Sequence, residues 1–263
     1  MTVKEKSPSP LQPRTYSAPA LEKGLDILEL LSGTERSMSQ KDIARSLGRS
    51  VGEIYRMLAC LVGRHYVGVA EDSYHLTSKM FELAHKHPPM QRLLIEARPI
   101  MQGLSSQLEQ SCHLTIYGRG RQIVIEKVDV SSGMGFSVSV GAELELLVSA
   151  SGRVLLAFQE AETRKLWIQQ ARQRHAQEVD PQIDTVLDFI RSRGFESSPS
   201  SQIRGLYAVS CPILDTQGHA IAALTVPYAD RIDLASRRSI PDVEAALQDA
   251  ALRVSERIAG KRV

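Results

Sequence analysis

No apolar stretch in the sequence approaches the ~18 residues that a membrane-spanning helix requires, so none is expected. The first residues, MTVKEKSPSPLQPRTYSAP, have no apolar core of the kind a signal peptide carries. Polar and rich in Pro and Ser, residues 1–16 are expected to form a disordered leader. Cysteine is scarce: Cys60, Cys112 and Cys211 are odd in number and far apart, which fits a reducing compartment. No CxxC or HExxH spacing occurs, so neither a structural zinc nor any cofactor is expected. Aromatics make up only 5% of the chain, so its cores should be aliphatic. An excess of one charge is also missing: 32 basic against 30 acidic residues leave +2, and that balance alone does not argue for nucleic acid.

What is present is an ordinary soluble composition, 43% hydrophobic and 24% charged, over a length that suits one or two domains. Leu21, Leu25, Leu28 and Leu31 form one stripe of a helix that Ser32-Gly33 ends. Ser39, with Asp42 three residues on, caps a second helix whose buried face is Ile43, Ala44 and Leu47, with Gly48 at its end. Ser50 and Glu53 make a capping box for a third, carrying Ile54, Met57, Leu58 and Leu61. Two short helices joined by a tight turn at Gly48-Arg49 are a helix-turn-helix. Residues 66–77 read as a β-hairpin turning near Glu71-Asp72-Ser73. A hairpin directly after a recognition helix is a wing.

From Ser78 to about Gln110 the pattern is helical, broken at His87-Pro88-Pro89, with Pro99 expected to start a new helix or kink the old one. Beyond it the character changes. Residues 112–117 and 122–128 read as strands around Gly118-Arg119-Gly120. Phe136, Val138 and Val140 alternate as a third strand would. Helices follow at about 150–158, 161–174 and 182–193. Strands at 206–214 and 220–226 flank the turn Asp215-Thr216-Gln217-Gly218, and a last helix runs over about 241–260. The fold class is therefore α+β: an N-terminal winged helix-turn-helix (17–79), a helical linker (80–110) and a C-terminal antiparallel-sheet domain (111–263).

Charge is unevenly placed. Arg36, Lys41, Arg45, Arg49, Arg56 and Arg64 face only Asp42 and Glu53 in that segment, whereas residues 88–263 carry 20 basic and 20 acidic groups. A phosphate backbone selects for such a local excess. The positions expected to meet DNA are Ser39, Arg49, Ser50, Val51, Gly52, Tyr55 and Arg56. Arg56 suits either a bidentate contact to guanine or a grip on phosphate. Glu53 either only caps its helix or accepts a bond from cytosine N4.

Catalytic readings are weaker. Ser149, Ser151 and Gly152 suggest a nucleophile, and Cys112, Cys211 and His113 a thiol–imidazole pair, but no G-x-S-x-G elbow or phosphate loop is present. Cys112 and Cys211 sit in apolar strands, where they read as small buried residues. The chain is not expected to be an enzyme. The start of the helix at Ser149 to Gly152 is at least an N-cap, and it offers free N–H groups to a ligand carboxylate.

From about Ser17 to Ile258 the sequence resembles the IclR family of bacterial transcription regulators. Residues 20–28 are similar to the family's first helix, Tyr55-Arg56-Met57-Leu58-Ala59-Cys60-Leu61 to its recognition helix, and Tyr74-His75-Leu76-Thr77 to the end of its wing. Gly141 through Ala157 and Ser210-Cys211-Pro212-Ile213 resemble its effector-domain signatures. The resemblance implies a GAF-like effector domain, a homodimer or homotetramer, a palindromic double-stranded DNA operator and a small organic metabolite as effector. It places the effector between the sheet and the segment Ser149, Ala150, Ser151 and Gly152. The remaining wall would be Met134, Phe136, Leu144 and Leu147 with Ala208, Ser210, Thr225 and Pro227. Three stretches depart from the family: Glu145-Leu146-Leu147, the acid-free Ser198 to Gln202, and Gly52-Glu53. A pocket poorer in acid and histidine points to a hydrophobic or aromatic ligand. The alternative is a small-molecule-binding or enzymatic α+β protein with an N-terminal protein-interaction module.

Overall fold

The computed structural model describes residues 18–131, 135–174, 180–230 and 238–260. The expected leader and Met134 lie outside them. The chain divides into two compact units, Met1–His87 and Pro88–Val263.

In the first unit α1 (Pro19–Ser32), α2 (Gln40–Ser46) and α3 (Val51–Gly63) enclose a core of Ile27, Leu31, Ile43, Ala44, Ile54, Leu58 and Val67. Local chemistry sets the helix starts. Ser39 Oγ accepts from the Asp42 N–H at 3.2 Å, and Ser50 and Glu53 form the reciprocal capping box. Gly48 lies at φ +61°, a conformation that spares glycine the Cβ clash, and lets the Arg49 N–H close back on the Ala44 carbonyl at 2.9 Å. The wing is β2 (Val67–Ala70) and β3 (Ser73–Leu76), turned by Glu71 and Asp72, both at positive φ. A short β1 (Met38–Ser39), unforeseen in the sequence, pairs with β3 and makes the sheet three-stranded. The unit closes with α4 (Lys79–His85).

The second unit begins with α5 (Pro88–Leu108), so the residues read as a linker divide between the two units. Leu93, Ala97, Ile100, Met101, Leu104 and Leu108 are core residues of the second. The helix runs unbroken past Pro99, where a new start or a kink was expected. Pro99 and Ile95 are both exposed, so the carbonyl that the ring leaves unbonded faces water rather than the core.

Six strands form one antiparallel sheet in the order β6-β5-β4-β9-β8-β7. They are β4 (Cys112–Gly118), β5 (Arg121–Val128), β6 (Glu143–Glu145), β7 (Glu196–Pro199), β8 (Leu206–Leu214) and β9 (Ala220–Ala229). The strand expected at Phe136–Val140 is absent: those residues are irregular, and the edge of β5 pairs with β6 instead, Gln122 opposite Leu144. β7 was not foreseen, because Glu-Ser-Ser-Pro carries no apolar alternation. It is an edge strand, where Pro199 is tolerated.

Period-two alternation gives the sheet two different faces. Cys112, Leu114, Leu224, Val226, Val209 and Cys211 pack with α5 and the C-terminal α9 (Ile240–Ile258). The other face lies under α6 (Ala150–Ala157), α7 (Ala161–Arg174) and α8 (Ile183–Arg193), whose core includes Leu146, Leu155, Ile168, Leu187, Ala220 and Ala223. Trp167 of α7 stacks on Tyr117 of β4 with ring centroids 3.7 Å apart. Among the described residues, no helix is long and apolar enough to cross a membrane, and no cluster of three His, Cys, Asp or Glu groups suits a metal.

Candidate functional site

In the first unit Ile54 and Leu58 turn α3 inward, which leaves Val51, Gly52, Tyr55, Arg56 and Ala59 outward. Tyr55 is 59% exposed. Ser50 is exposed, but its hydroxyl is engaged with Glu53. Glu53 also pairs with Lys23 of α1 at 3.2 Å. Hydrogen bonds from the Ser50 backbone and hydroxyl and from Lys23 lower its pKa to about 2, so the cap stays charged. Ser39 is half-buried and occupied by Asp42. Arg49 is half-buried and holds Asp26 of α1 at 2.7 Å. The seven expected positions therefore sort into an open surface around Tyr55 and Arg56, and a set, Ser39, Ser50 and Arg49, whose polar groups already hold the helices together.

In the second unit a hollow of about 210 Å³ opens beneath the start of α6. Phe136, Leu144, Ser149, Ala150, Ser151, Ala208, Thr225 and Pro227 line it, as expected from the sequence. Leu147, Gly152 and Ser210 do not. Leu147 packs toward the second core instead. Gly152 is buried with its Cα against the Leu146 carbonyl, and a Cβ there would lie 2.1 Å from that oxygen. Ser210 is fully buried and shares a 2.8 Å hydrogen bond with Thr225. Missed by sequence reading were His113, Val138, Val148, Arg153, Leu206 and the segment from Ser198 to Ile203. The wall was expected to be poorer in acid and histidine, and one histidine, His113 of β4, does line the hollow.

Local bonds set this geometry. Ser149 caps α6 by accepting from the Gly152 N–H at 3.2 Å, and its hydroxyl donates to the Glu145 carbonyl. The Gln122 amide donates to the same carbonyl and to Ser149 Oγ, tying the loop to β5. The N–H groups of Ala150 and Ser151 are left without an acceptor inside the helix. On the opposite rim Ser200 Oγ accepts from the N–H groups of Gln202 and Ile203, and Ser201 donates to the Val148 carbonyl at 3.0 Å. Arg153 lies 3.5 Å from Glu196 and from Ser198.

Cys112 and His113 are neighbours in β4 and therefore point to opposite faces of the sheet, which rules out the thiol–imidazole pair. Burial pushes the thiols of Cys112 and Cys211 up to about 12. Burial also pushes the His113 imidazole from its ordinary 6.5 down to about 4. Between these two values the unfolded chain binds a proton that the folded one refuses, so stability present above pH 6.5 is lost as pH falls toward 4. The loss should reach about 3 kcal/mol at the bottom of that window. Trp167, the one tryptophan, lies in this unit, so its fluorescence reports the transition. His113→Asn should flatten the dependence. Asp129 and Asp242 also titrate low, but their effect sets in only below their ordinary value near 3.8.

A winged helix with an open basic face, joined in one chain to an α+β unit with a molecule-sized hollow, defines a ligand-responsive transcription regulator. Residues 20–69 match the IclR helix-turn-helix domain, and residues 89–256 match the C-terminal domain of the bacterial transcriptional regulator IclR. The chain belongs to the IclR family. It is 27% identical over 212 residues to the regulator KdgR of Dickeya chrysanthemi, covering 77% of this chain and 68% of that protein. It is 25% identical over 248 residues to the glycerol operon regulatory protein of Streptomyces coelicolor, covering 92% and 97%. The IclR of Thermotoga maritima shares the fold at a TM-score of 0.69 and 20% identity, covering 91% of this chain and 98% of that one.

Proposed function

We propose that the exposed face of α3, centred on Tyr55 and Arg56, reads the operator, and that the hollow beneath α6 holds a small organic metabolite. The observation that carries the reading is the pairing of these two features in one chain: an outward helix face bearing Tyr55 and Arg56 after a capped tight turn in a basic segment, and a partly open, largely apolar hollow with free N–H groups at one end. Val51 and Gly52 extend the DNA face. The protein works as a homodimer or homotetramer in the cytoplasm, where its operator is, and carries no catalytic activity of its own. Relatives named for a glycerol operon and a Pca regulon support a catabolic operon as its target. Occupancy of the hollow alters the placement of paired DNA-binding units, and duplex geometry makes affinity sensitive to that placement because half-site spacing is fixed.

The test is a fluorescence-anisotropy titration against the chain's own upstream DNA at several salt concentrations. Affinity should fall steeply as salt rises, since phosphate contacts release counterions, and one metabolite should change it. Binding no tighter than to random DNA would instead favour the alternative, an N-terminal module that contacts protein.

A further inference from the structure

The sheet register places two polar groups at opposite ends of the hollow. His113 on β4 is opposite Thr225 on β9, Thr225 is opposite Ser210 on β8, and Ser210 is opposite Glu196 on β7. This row crosses three inter-strand steps of about 4.8 Å, so roughly 14 Å of sheet separates its ends. At the β7 end, Arg153 reaches down from α6 to Glu196 and Ser198. Its Nε is buried and has no acceptor. Ala150 and Ser151, whose N–H groups have no acceptor inside the helix, line the same hollow, and a helix N-terminus favours negative charge. At the β4 end His113 is 5% exposed, lines the hollow, and its Nδ1 has no hydrogen-bond partner. A buried polar atom left without a partner is costly, and a ligand that supplies the partner recovers that cost.

Between the poles the wall is apolar or already satisfied. Thr225 and Ser210 bond each other, and Ala208, Pro227, Leu206 and Phe136 offer only carbon. An apolar cavity of about 150 Å³ takes one benzene ring. The hollow, at about 210 Å³, takes a ring with one or two small substituents.

We propose that Arg153 and His113 determine effector specificity from the two poles of the hollow, selecting a ring-sized monocarboxylate with a hydroxyl at its far end. The inference rests on the reading of this hollow as the effector site. The carboxylate meets Arg153 and the start of α6, and the ring lies over Ala208 and Pro227. The hydroxyl meets His113, and because a hydroxyl both donates and accepts, it suits either tautomer of a neutral imidazole.

The experiment is calorimetric titration of the full-length protein with 4-hydroxybenzoate, benzoate, phenol and toluene. 4-Hydroxybenzoate should bind about tenfold or more tightly than benzoate, and benzoate more tightly than toluene, because each lost partner leaves a buried group unpaired. In Arg153→Gln the preference for benzoate over toluene should vanish. In His113→Leu the preference for 4-hydroxybenzoate over benzoate should vanish, and His113→Asn should restore part of it. A cooperative thermal melt followed by Trp167 fluorescence shows that the second unit of each variant is folded. Equal affinities for all four compounds in the wild type, or preferences that survive both substitutions, overturn the proposal. Ala208→Phe, which fills the hollow, separates the two levels. If an acyclic or uncharged metabolite releases the operator and Ala208→Phe abolishes that release, the specificity proposal falls and the effector site stands. If release persists in Ala208→Phe, both fall.

Discussion

Replacing Arg56 by alanine should lower operator affinity by about 10- to 100-fold while leaving the fold intact, the scale of one lost bidentate or charge-assisted contact. The side chain is exposed, and nothing in the first unit's core depends on it. Arg49, by contrast, is tied to Asp26, and its removal would loosen α1 as well as any contact to DNA. Arg56→Lys separates the two roles open to the guanidinium. A phosphate grip survives largely in lysine, whereas a paired contact to guanine O6 and N7 does not, since lysine lacks the planar fork. Measuring the variants on operator and on random DNA decides between them. Loss confined to the operator identifies base reading, equal loss with a shallower salt slope identifies a phosphate contact, and unaltered binding would show that α3 is not the recognition helix.

Gly152→Ala should destabilise the second unit by about 3 kcal/mol or more, a fall of very roughly 6–12 °C in melting temperature for a unit of this size. The added Cβ would sit 2.1 Å from the Leu146 carbonyl oxygen, 2.6 Å from its carbon and 2.7 Å from its Cα, all backbone atoms in a buried segment. No flexible side chain is there to yield, so either α6 or the loop before it must shift. Because that loop and the first turn of α6 form the roof of the hollow, effector response should be lost even where the protein still folds. Gly103 in α5 is the control: a Cβ there meets nothing within 4 Å, and Gly103→Ala should be neutral or gain up to about 1 kcal/mol of helix propensity. Trp167 fluorescence during thermal melting compares the two in the same unit. Equal melting temperatures would mean that the close packing under α6 is not what fixes the hollow.

The features legible in the sequence are those whose causes lie within a few residues. Ser39 with Asp42, and Ser50 with Glu53, announce their helices because capping is a contact across one turn. Gly48 and the Glu71-Asp72 turn follow from local backbone sterics, and the inward stripes of α1 and α3 follow from a 3.6-residue period. The basic excess around α3 is a matter of counting, and together with the tight turn and the wing it carried the DNA-binding reading. Family resemblance added the effector domain and eight of the residues that wall its hollow.

Tertiary structure decided the rest. Phe136 and Val138 alternate as a strand would, yet they line a cavity. Alternation reports only that every second side chain is apolar, and β6 had already taken the edge of β5. Residues 88–108 read as a connection, but an amphipathic stripe does not say which body it packs on, and here it packs on the second unit's sheet with α9. Nothing local marks His113 and Arg153 as poles of one site. Pairing of His113 with Thr225, more than a hundred residues away, turns the imidazole into the hollow, and α6 crossing toward β7 brings Arg153 to the other end. The sequence determined the elements, the capped recognition helix and the family. Which polar groups share one buried space was decided by strand register and helix placement, because burial and proximity are properties of the assembled chain and not of any window along it.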